Sequence, residues 1–237
     1  MRWRLCLPFL FILAVTALAL CAQGQGIFLT PVPNAPFSAV VNLERTTIRP
    51  DGVVGQFKSI CEIGRDSIGH IHNESRTTVP ASSDKTPELR HIHLYDPQTR
   101  ISTEINVRKR TFWTMTMNHP PSTVPPSVRF ASPDNNVPPN EFAKQEDLGF
   151  QDVEGVRAHG IRETQTIPAE SSDTGKEITV TDEYWYSDDL RINLIVKHND
   201  PRTGSWSLTV TQITRTEPDA AFLQIPAGYK QVGRGEE

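Results

Sequence analysis

The sequence lacks the local patterns of the common catalytic and cofactor-binding sites. It contains no Gly-x-Ser-x-Gly nucleophile motif, no phosphate-binding loop and no dinucleotide-binding glycine pattern. Beyond the first 22 residues it also lacks an apolar repeat of 3.6 residues that is long enough for a helix. These absences remove the usual signatures of hydrolases, nucleotide enzymes and helical bundles.

Cysteine is scarce, and two of the three cysteines, Cys6 and Cys21, lie in the first 22 residues. Cys61 is then alone, so the fold is not expected to depend on an intramolecular disulfide. By strand alternation, Cys61 shares a face with Phe57 and Ile63. We therefore predict that it is a small buried residue without cationic neighbours that would activate its thiol.

Positive charge is also sparse. Lys and Arg number 24 against 28 acidic residues, and removing residues 1–22 changes the net charge from −4 to −6. The basic cluster Arg108–Arg110 lies within an alternating segment, which indicates a solvated sheet edge. Nucleic acid is therefore not an expected partner, because phosphate binding requires clustered Lys and Arg.

Residues 1–22 have the form of a secretory signal peptide. Arg2 and Arg4 precede an apolar run from Leu5 to Leu20, and small residues such as Ala22 follow. The run is short for a transmembrane span, so we predict cleavage after Ala22 and export to the periplasm or the extracellular space. The alternative is a lipoprotein signal in which Cys21 is lipidated and anchors the chain to a membrane.

Period-two alternation, the pattern of half-buried strands, recurs through residues 23–237. The alternating segments are 37–43, about 53–63, 70–78, 89–95, 101–107, 113–117, 155–167, 177–186, 191–198 and 205–214. The sequence thus predicts a single domain of nine or ten strands. Its fold class is mainly β, with a curved antiparallel sheet of half-barrel or open barrel-like form.

Other segments are expected to be irregular. Residues 120–140 contain seven prolines and are predicted to form a loop. Residues 79–87 and 168–175 are also predicted loops. One or two short helical turns are expected, at residues 141–149 and 217–222.

Several motifs resemble a family of uncharacterised secreted proteins that is abundant in acidobacteria. The matching segments are 155–160, 183–187, 198–202, 214–218, Phe222 and 225–229, and more loosely 65–69 and 96–100. The family has no assigned function, so no catalytic residue carries over. Its strand pattern is similar to the half-barrel of periplasmic lipoprotein carriers and of sensor domains in anti-sigma regulators, which implies an apolar concavity for acyl chains.

Two His-x-His units form a candidate metal site. On a strand, His70 and His72 share one face, as do His91 and His93. If the two strands were neighbours, four imidazoles would converge, which suits zinc or copper. The alternative is a polar sheet face without a metal, and no cofactor is otherwise expected.

Large apolar side chains form a second candidate site. Trp113, Met115, Met117, Trp185 and Trp206 are candidates for lining an apolar ligand cavity, or for an ordinary core. Asp182 is predicted to face with Val180 and Tyr184 and to be partly buried.

The sequence therefore favours an exported, non-catalytic envelope protein that binds or senses an apolar or lipid-like ligand. Two alternatives stay open. One is a metal-binding protein or metal-dependent enzyme that uses the His-x-His units. The other is a structural or protein-partner module of the cell envelope. The sequence indicates no particular protein partner and no oligomeric state.

Overall fold

The computed structural model describes residue 27, residues 29–118 and residues 142–235, and within them the chain is mainly β. The strands are β1 (Phe37–Ile48), β2 (Val54–Arg65), β3 (Ile71–Arg76), β4 (Val79–Pro80), β5 (Leu89–Asp96), β6 (Ile101–Asn106), β7 (Thr111–Thr116), β8 (Ala143–Val153), β9 (Val156–Ile167), β10 (Ile178–Ser187), β11 (Ile192–Asp200), β12 (Gly204–Thr214) and β13 (Lys230–Gln231). Two short 3-10 turns, Ala169–Ser171 and Ala220–Leu223, complete the regular elements. The predicted fold class is confirmed.

All these strands belong to one open, curved sheet. Its order is β13-β7-β6-β5-β3-β2-β1-β12-β11-β10-β9-β8, and β4 pairs separately with β2. The neighbours are antiparallel, except that β13 runs parallel to β7. Strands β1 to β7 extend the sheet towards one edge. Strand β8 forms the opposite edge, and the strands after it approach the centre until β12 pairs with β1.

Side-chain alternation divides the sheet into two faces, and the face that carries Phe37, Ala39 and Val41 of β1 is called the inner face. The ladder places Val210 opposite Val41, and Leu208 opposite Leu43, on the same face. The larger buried cluster includes these residues. It comprises Ile27, Leu29, Phe37, Ala39, Val41, Ile63, Ile71, Tyr95, Val153, Val156, Ala158, Leu190, Ile192, Leu194, Val196, Leu208 and Val210.

A smaller apolar cluster lies on the opposite, outer face. Ile92, Leu94 and Ile105 form it, and Tyr229 of the C-terminal segment packs against it. The cluster explains why the strand that begins at Ile101 alternates: Ile105 is fully buried on the outer face. The C-terminal segment thus covers part of the outer face before it joins the sheet as β13.

The predicted irregular segments have mixed outcomes. The helical turn expected at 141–149 is wrong, because this stretch begins strand β8, whose polar side chains face solvent at the sheet edge. The turn expected near 217–222 is confirmed at Ala220–Leu223, where the Asp219 side chain accepts a hydrogen bond from Ala221 N. The loop predicted at 79–87 starts with β4, and the proline-rich segment 120–140 lies outside the described residues.

None of the helical elements among the described residues is long and apolar enough to cross a membrane. The predicted signal peptide at residues 1–22 lies outside the described part of the chain.

Candidate functional site

The inner face contains a small apolar recess, which we call the inner trough. It is lined by Ile27, Val41, Leu43, Cys61, Ile63 and Leu208, together with Asn73 and other side chains of β3, and its volume is about 50 Å³. The apolar side chains of β1, β2 and β12 meet there because the antiparallel ladders place Val41 opposite both Cys61 and Val210. Ile27 precedes the first strand and contributes to the lining from outside the strands.

Cys61 is half-buried rather than fully buried, and Arg76 is a cationic neighbour that the sequence did not predict. Cys61 lines the trough beside Ile63, and burial raises the pKa of its thiol. The side chain is thus a neutral, weakly polar part of an apolar wall at neutral pH.

The β2–β3 ladder opens next to the trough. It pairs Ile63 with Asn73, and beyond this point the Glu74 carboxylate accepts a hydrogen bond from Glu62 N at 3.1 Å and one from Arg76 Nε at 2.8 Å. Burial alone raises the pKa of Glu74, but its neighbours His72 and Arg76 lower it below the ordinary value. The ionised carboxylate of Glu74 therefore links β2 to β3 at the point where the backbone pairing of these strands stops.

Arg65 fixes the segment that covers the inner face. Its side chain is fully buried and donates four hydrogen bonds, to Thr30 O at 2.8 Å, to Ala35 O at 2.7 and 3.0 Å, and to Leu190 O at 2.8 Å. Its guanidinium also lies 5.2 Å from the centre of the Phe37 ring. Burial lowers the pKa of Arg65 to about 10, so the side chain stays charged at neutral pH. No local pattern in the sequence signals a buried cation at this position.

Of the five predicted apolar site residues, Met117, Trp185 and Trp206 pack against the larger core cluster, and Trp113 and Met115 are not among its neighbours. By the ladder, Trp113 and Met115 on β7 share the inner face with Glu104 and Ser102, whereas Trp206 lies on the inner face of β12. Trp185 also covers Gly160: a β-carbon on Gly160 would lie 2.6 Å from the indole ring.

Trp206 lies next to several polar side chains on the inner face. The Trp206 ring stacks on His198 with 5.7 Å between ring centres, and His198 Nδ1 lies 2.8 Å from Asp182 Oδ1. Burial, with the nearby charges of Asp182 and Glu163, raises the pKa of Tyr184 to about 12. Asp182 faces with Tyr184 as predicted, and its hydrogen bond with His198 makes this end of the inner face polar.

The two His-x-His units lie on neighbouring strands but on opposite faces. The β3–β5 ladder pairs His72 with Leu94, and Asn73 with His93, so His72 points outward while His91 and His93 point inward. The predicted convergence of four imidazoles is therefore wrong in its geometry. Among the described residues, no group of three or more His, Cys, Asp or Glu side chains is placed to hold a metal ion.

Two of these histidines have polar partners of their own. His70 Nδ1 bonds to Asp66 Oδ2 at 2.6 Å, and its Nε2 lies 3.4 Å from Asp96 Oδ1. His93 Nε2 bonds to Ser102 Oγ at 3.0 Å, and burial lowers the pKa of His93.

His72 connects the sheet to the C-terminal segment. It is buried, stacks on Phe222 with 3.7 Å between ring centres, and hydrogen-bonds through Nδ1 to the Phe222 carbonyl. Beside this contact is an outer pocket of about 460 Å³, lined by Ser38, Val40, Glu62, Gln212, Thr214, Pro218, Asp219 and Phe222. No local pattern signals this pocket, because it forms between β1, β2, β12 and a distant segment.

Several solved structures are similar to this curved sheet. No protein-family model matches the sequence, and no curated protein is significantly similar to it. An uncharacterized conserved protein from Thermus thermophilus is similar in structure, with 10% identity, a TM-score of 0.41, and coverage of 84% of this chain and 90% of that one. A chain of the Pseudomonas aeruginosa MucA/MucB complex has 12% identity and a TM-score of 0.39, and the match covers 81% of this chain and 56% of that one.

The lipoprotein LppX of Mycobacterium tuberculosis is also similar, with 14% identity, a TM-score of 0.25, and coverage of 77% of this chain and 87% of that one. At such low identities and TM-scores these similarities identify no function. The relation to secreted acidobacterial proteins stays a prediction.

Proposed function

We propose that the protein is an exported, non-catalytic binding protein that takes an apolar ligand on the inner face of its curved sheet. The observation that supports this proposal is the kind of structure that covers the inner face. Its apolar side chains extend across both halves of the sheet, whereas the described cover comes mainly from irregular segments, among them residues 29–36 and the β10–β11 turn. An apolar sheet face is normally buried by a second layer of helices or strands.

The size of the inner trough fits a site that is filled rather than empty. Its volume of about 50 Å³ holds only a few water-sized groups and is far smaller than a lipid. Ile27 lines the trough and is only 4% exposed. A ligand of lipid size would therefore need the room that this side chain now takes.

A partner-binding role would use the edge strand β8 instead. This strand is exposed along most of its length, but Lys144, Glu146 and Asp147 lie along it. Charged side chains on an edge strand resist pairing with another chain. The edge therefore favours the ligand-binding proposal over a partner module.

The proposal is tested with cis-parinaric acid, an apolar probe that fluoresces when it is shielded from water. The exported, processed protein is compared with Cys61→Phe, which places a ring in the trough. We expect saturable binding that is weakened by about tenfold or more in Cys61→Phe, because the ring takes the space of the probe.

Val54→Phe is the matched control, since Val54 lies on the same strand and is 57% exposed. Its affinity should equal that of the unchanged protein, and circular dichroism verifies that both variants fold. Absence of saturable binding, or an equal loss in both variants, would refute the proposal.

A further inference from the structure

Beyond β3, the inner face carries a half-buried carboxylate that lies beside a tryptophan ring. The ladders place His93 of β5, Glu104 of β6 and Trp113 of β7 in one row across the sheet. Side chains that face each other on neighbouring antiparallel strands have β-carbons about 5 Å apart. Glu104 therefore has an imidazole on one side and an indole on the other.

Glu104 lacks the counter-charge that Glu74 and Glu183 have. Glu74 pairs with Arg76 at 2.7 Å, and Glu183 pairs with Lys197 at 2.8 Å. Among the residues that the structure describes, none forms a hydrogen bond or an ion pair with the Glu104 side chain. Burial raises the pKa of Glu104, and a cation within about 4–6 Å would stabilise its ionised form.

His93 does not supply this charge. Its Nε2 bonds to Ser102 Oγ at 3.0 Å, and burial lowers the pKa of His93, so the imidazole is neutral at neutral pH. The two cross-strand neighbours of Glu104 are thus an uncharged imidazole and an aromatic ring, and neither of them balances the carboxylate.

Trp113 already has a cation over its ring, and this cation comes from the C-terminal tail. The guanidinium carbon of Arg234 lies 5.3 Å from the centre of the Trp113 ring, and Arg234 Nη1 lies 4.0 Å from Met115 Sδ. Met115 is two residues further along the same strand, whereas Glu104 is on the neighbouring strand. The tail therefore supplies a cation to the ring but not to the carboxylate.

We propose that Trp113 and Glu104 form a binding site for a guanidinium group from outside the chain, and that Arg234 competes with it. A guanidinium is planar, so it stacks on an indole while its N–H groups donate to a carboxylate beside the ring. The incoming group makes both contacts, whereas Arg234 makes only the first. This inference goes beyond the proposed function, because the strands that line the inner trough are β1, β2, β3 and β12.

Two matched probes test the site: N-acetyl-arginine amide, and N-acetyl-citrulline amide, which has nearly the same shape but no charge. The indole N–H signal of Trp113 in NMR spectra of the exported, processed protein reports their binding, and the signals of Trp185 and Trp206 report effects elsewhere. We expect saturable shifts at Trp113 with the arginine amide. The affinity for the citrulline amide should be at least about fivefold lower.

Three variants separate the contributions to this site. Glu104→Gln should reduce the preference for the arginine amide to about twofold or less. Glu163→Gln should keep the preference, because Glu163 is a half-buried carboxylate on the distant strand β9. Arg234→Gln removes the competitor and should tighten binding by about twofold to fivefold, the range for one exposed cation–π contact. Because Arg234 is exposed, this variant also serves if Glu104→Gln fails to fold.

Methylguanidine distinguishes the two sources of such a group. An affinity equal to that of the arginine amide would indicate a small guanidine, and a weaker affinity would indicate an arginine side chain of a peptide. Equal affinity for the arginine and citrulline amides, an equal loss of preference in Glu104→Gln and Glu163→Gln, or unchanged affinity in Arg234→Gln would overturn the inference. Failure of cis-parinaric acid to bind would refute the proposed function alone, because that probe reports on the trough.

Discussion

Arg65 is a buried cation that binds carbonyl oxygens from two distant parts of the chain. Its acceptors are Thr30, Ala35 and Leu190, so one side chain of β2 holds the N-terminal segment and the β10–β11 turn together. Its forked, planar guanidinium suits three acceptors in different directions, and an ammonium group does not. The inner-face cover therefore depends on the shape of this group as well as its charge.

Arg65→Lys tests this dependence. We expect the free energy of unfolding to fall by about 3 kcal/mol, because buried carbonyl groups lose hydrogen bonds from a charged donor. Denaturant unfolding measures the change, with Arg45→Lys as the control at an exposed position of β1, where about 0.5 kcal/mol or less is expected. Equal effects in the two variants would contradict a special role for Arg65.

Glu183 gives the protein a defined response to acid. Burial raises the pKa of Glu183, but hydrogen bonds from Lys197, Trp185 and Arg162 lower it from 4.5 to about 2. Because the folded pKa lies below the unfolded pKa, the ionised carboxylate stabilises the fold above about pH 4.5. This stabilisation is lost as the pH falls from 4.5 towards 2.

The matching experiment compares the unfolding free energies of the unchanged protein and Glu183→Gln across this pH range. We expect a difference of about 1–2 kcal/mol at pH 7, less than the full shift implies because Lys197 and Arg162 are exposed. The difference should shrink below pH 4.5. Glu146→Gln, which removes only an exposed partner of Arg162, should show little change, and a constant difference at every pH would contradict the assignment.

Among the elements, β12 and β1 approach each other very closely at Gly204. Gly204 has a φ of +113°, and a β-carbon there would lie 2.0 Å from the carbonyl oxygen of Thr46. Backbone atoms cannot move aside without separating the two strands. Gly52, with a φ of +80°, has nothing within 4 Å of the same position.

We therefore expect Gly204→Ala to lower the free energy of unfolding by about 3 kcal/mol or more, since strain and overlap add. Gly52→Ala should cost about 1 kcal/mol, from backbone strain alone. Denaturant unfolding of both variants measures the two costs. Similar losses would show that the β1–β12 contact relaxes more easily than its geometry indicates.

Elements differ in how far the sequence reveals them. Segments such as Ile192–Asp200 alternate because one face is buried, and a local pattern is enough to predict them. Strand β8 was not predicted because it is an edge strand with polar residues on both faces. The faces of His72 and His93 depend on the register between strands, and an offset of one residue reverses the direction of a side chain.

The candidate site was predictable only in part. Cys61 was placed correctly because its neighbours on one strand show which face is apolar. The positions of Ile27, Arg65 and Asn73 around the trough arise from contacts between distant segments, and a single sequence contains no local mark of such contacts. Trp185 shows the same limit, since its contact with Gly160 depends on the register between β9 and β10.

At the scale of the whole molecule, the inner trough belongs to both halves of the chain. Val41 and Ile63 come from the strands that follow the N-terminal segment, and Leu208 comes from the last long strand. A change that separates β1 from β12 would therefore open the inner trough and interrupt the sheet.

The pairing of β1 with β12 also determines when the fold can be completed. Val40 and Thr211, which face each other across this ladder, are 171 residues apart in the chain. Contacts between such distant residues form late, because a long loop must close first. When only the first half of the chain has been synthesised, β1 is present but its partner strand β12 is not. The chain therefore cannot complete its core until synthesis is almost finished.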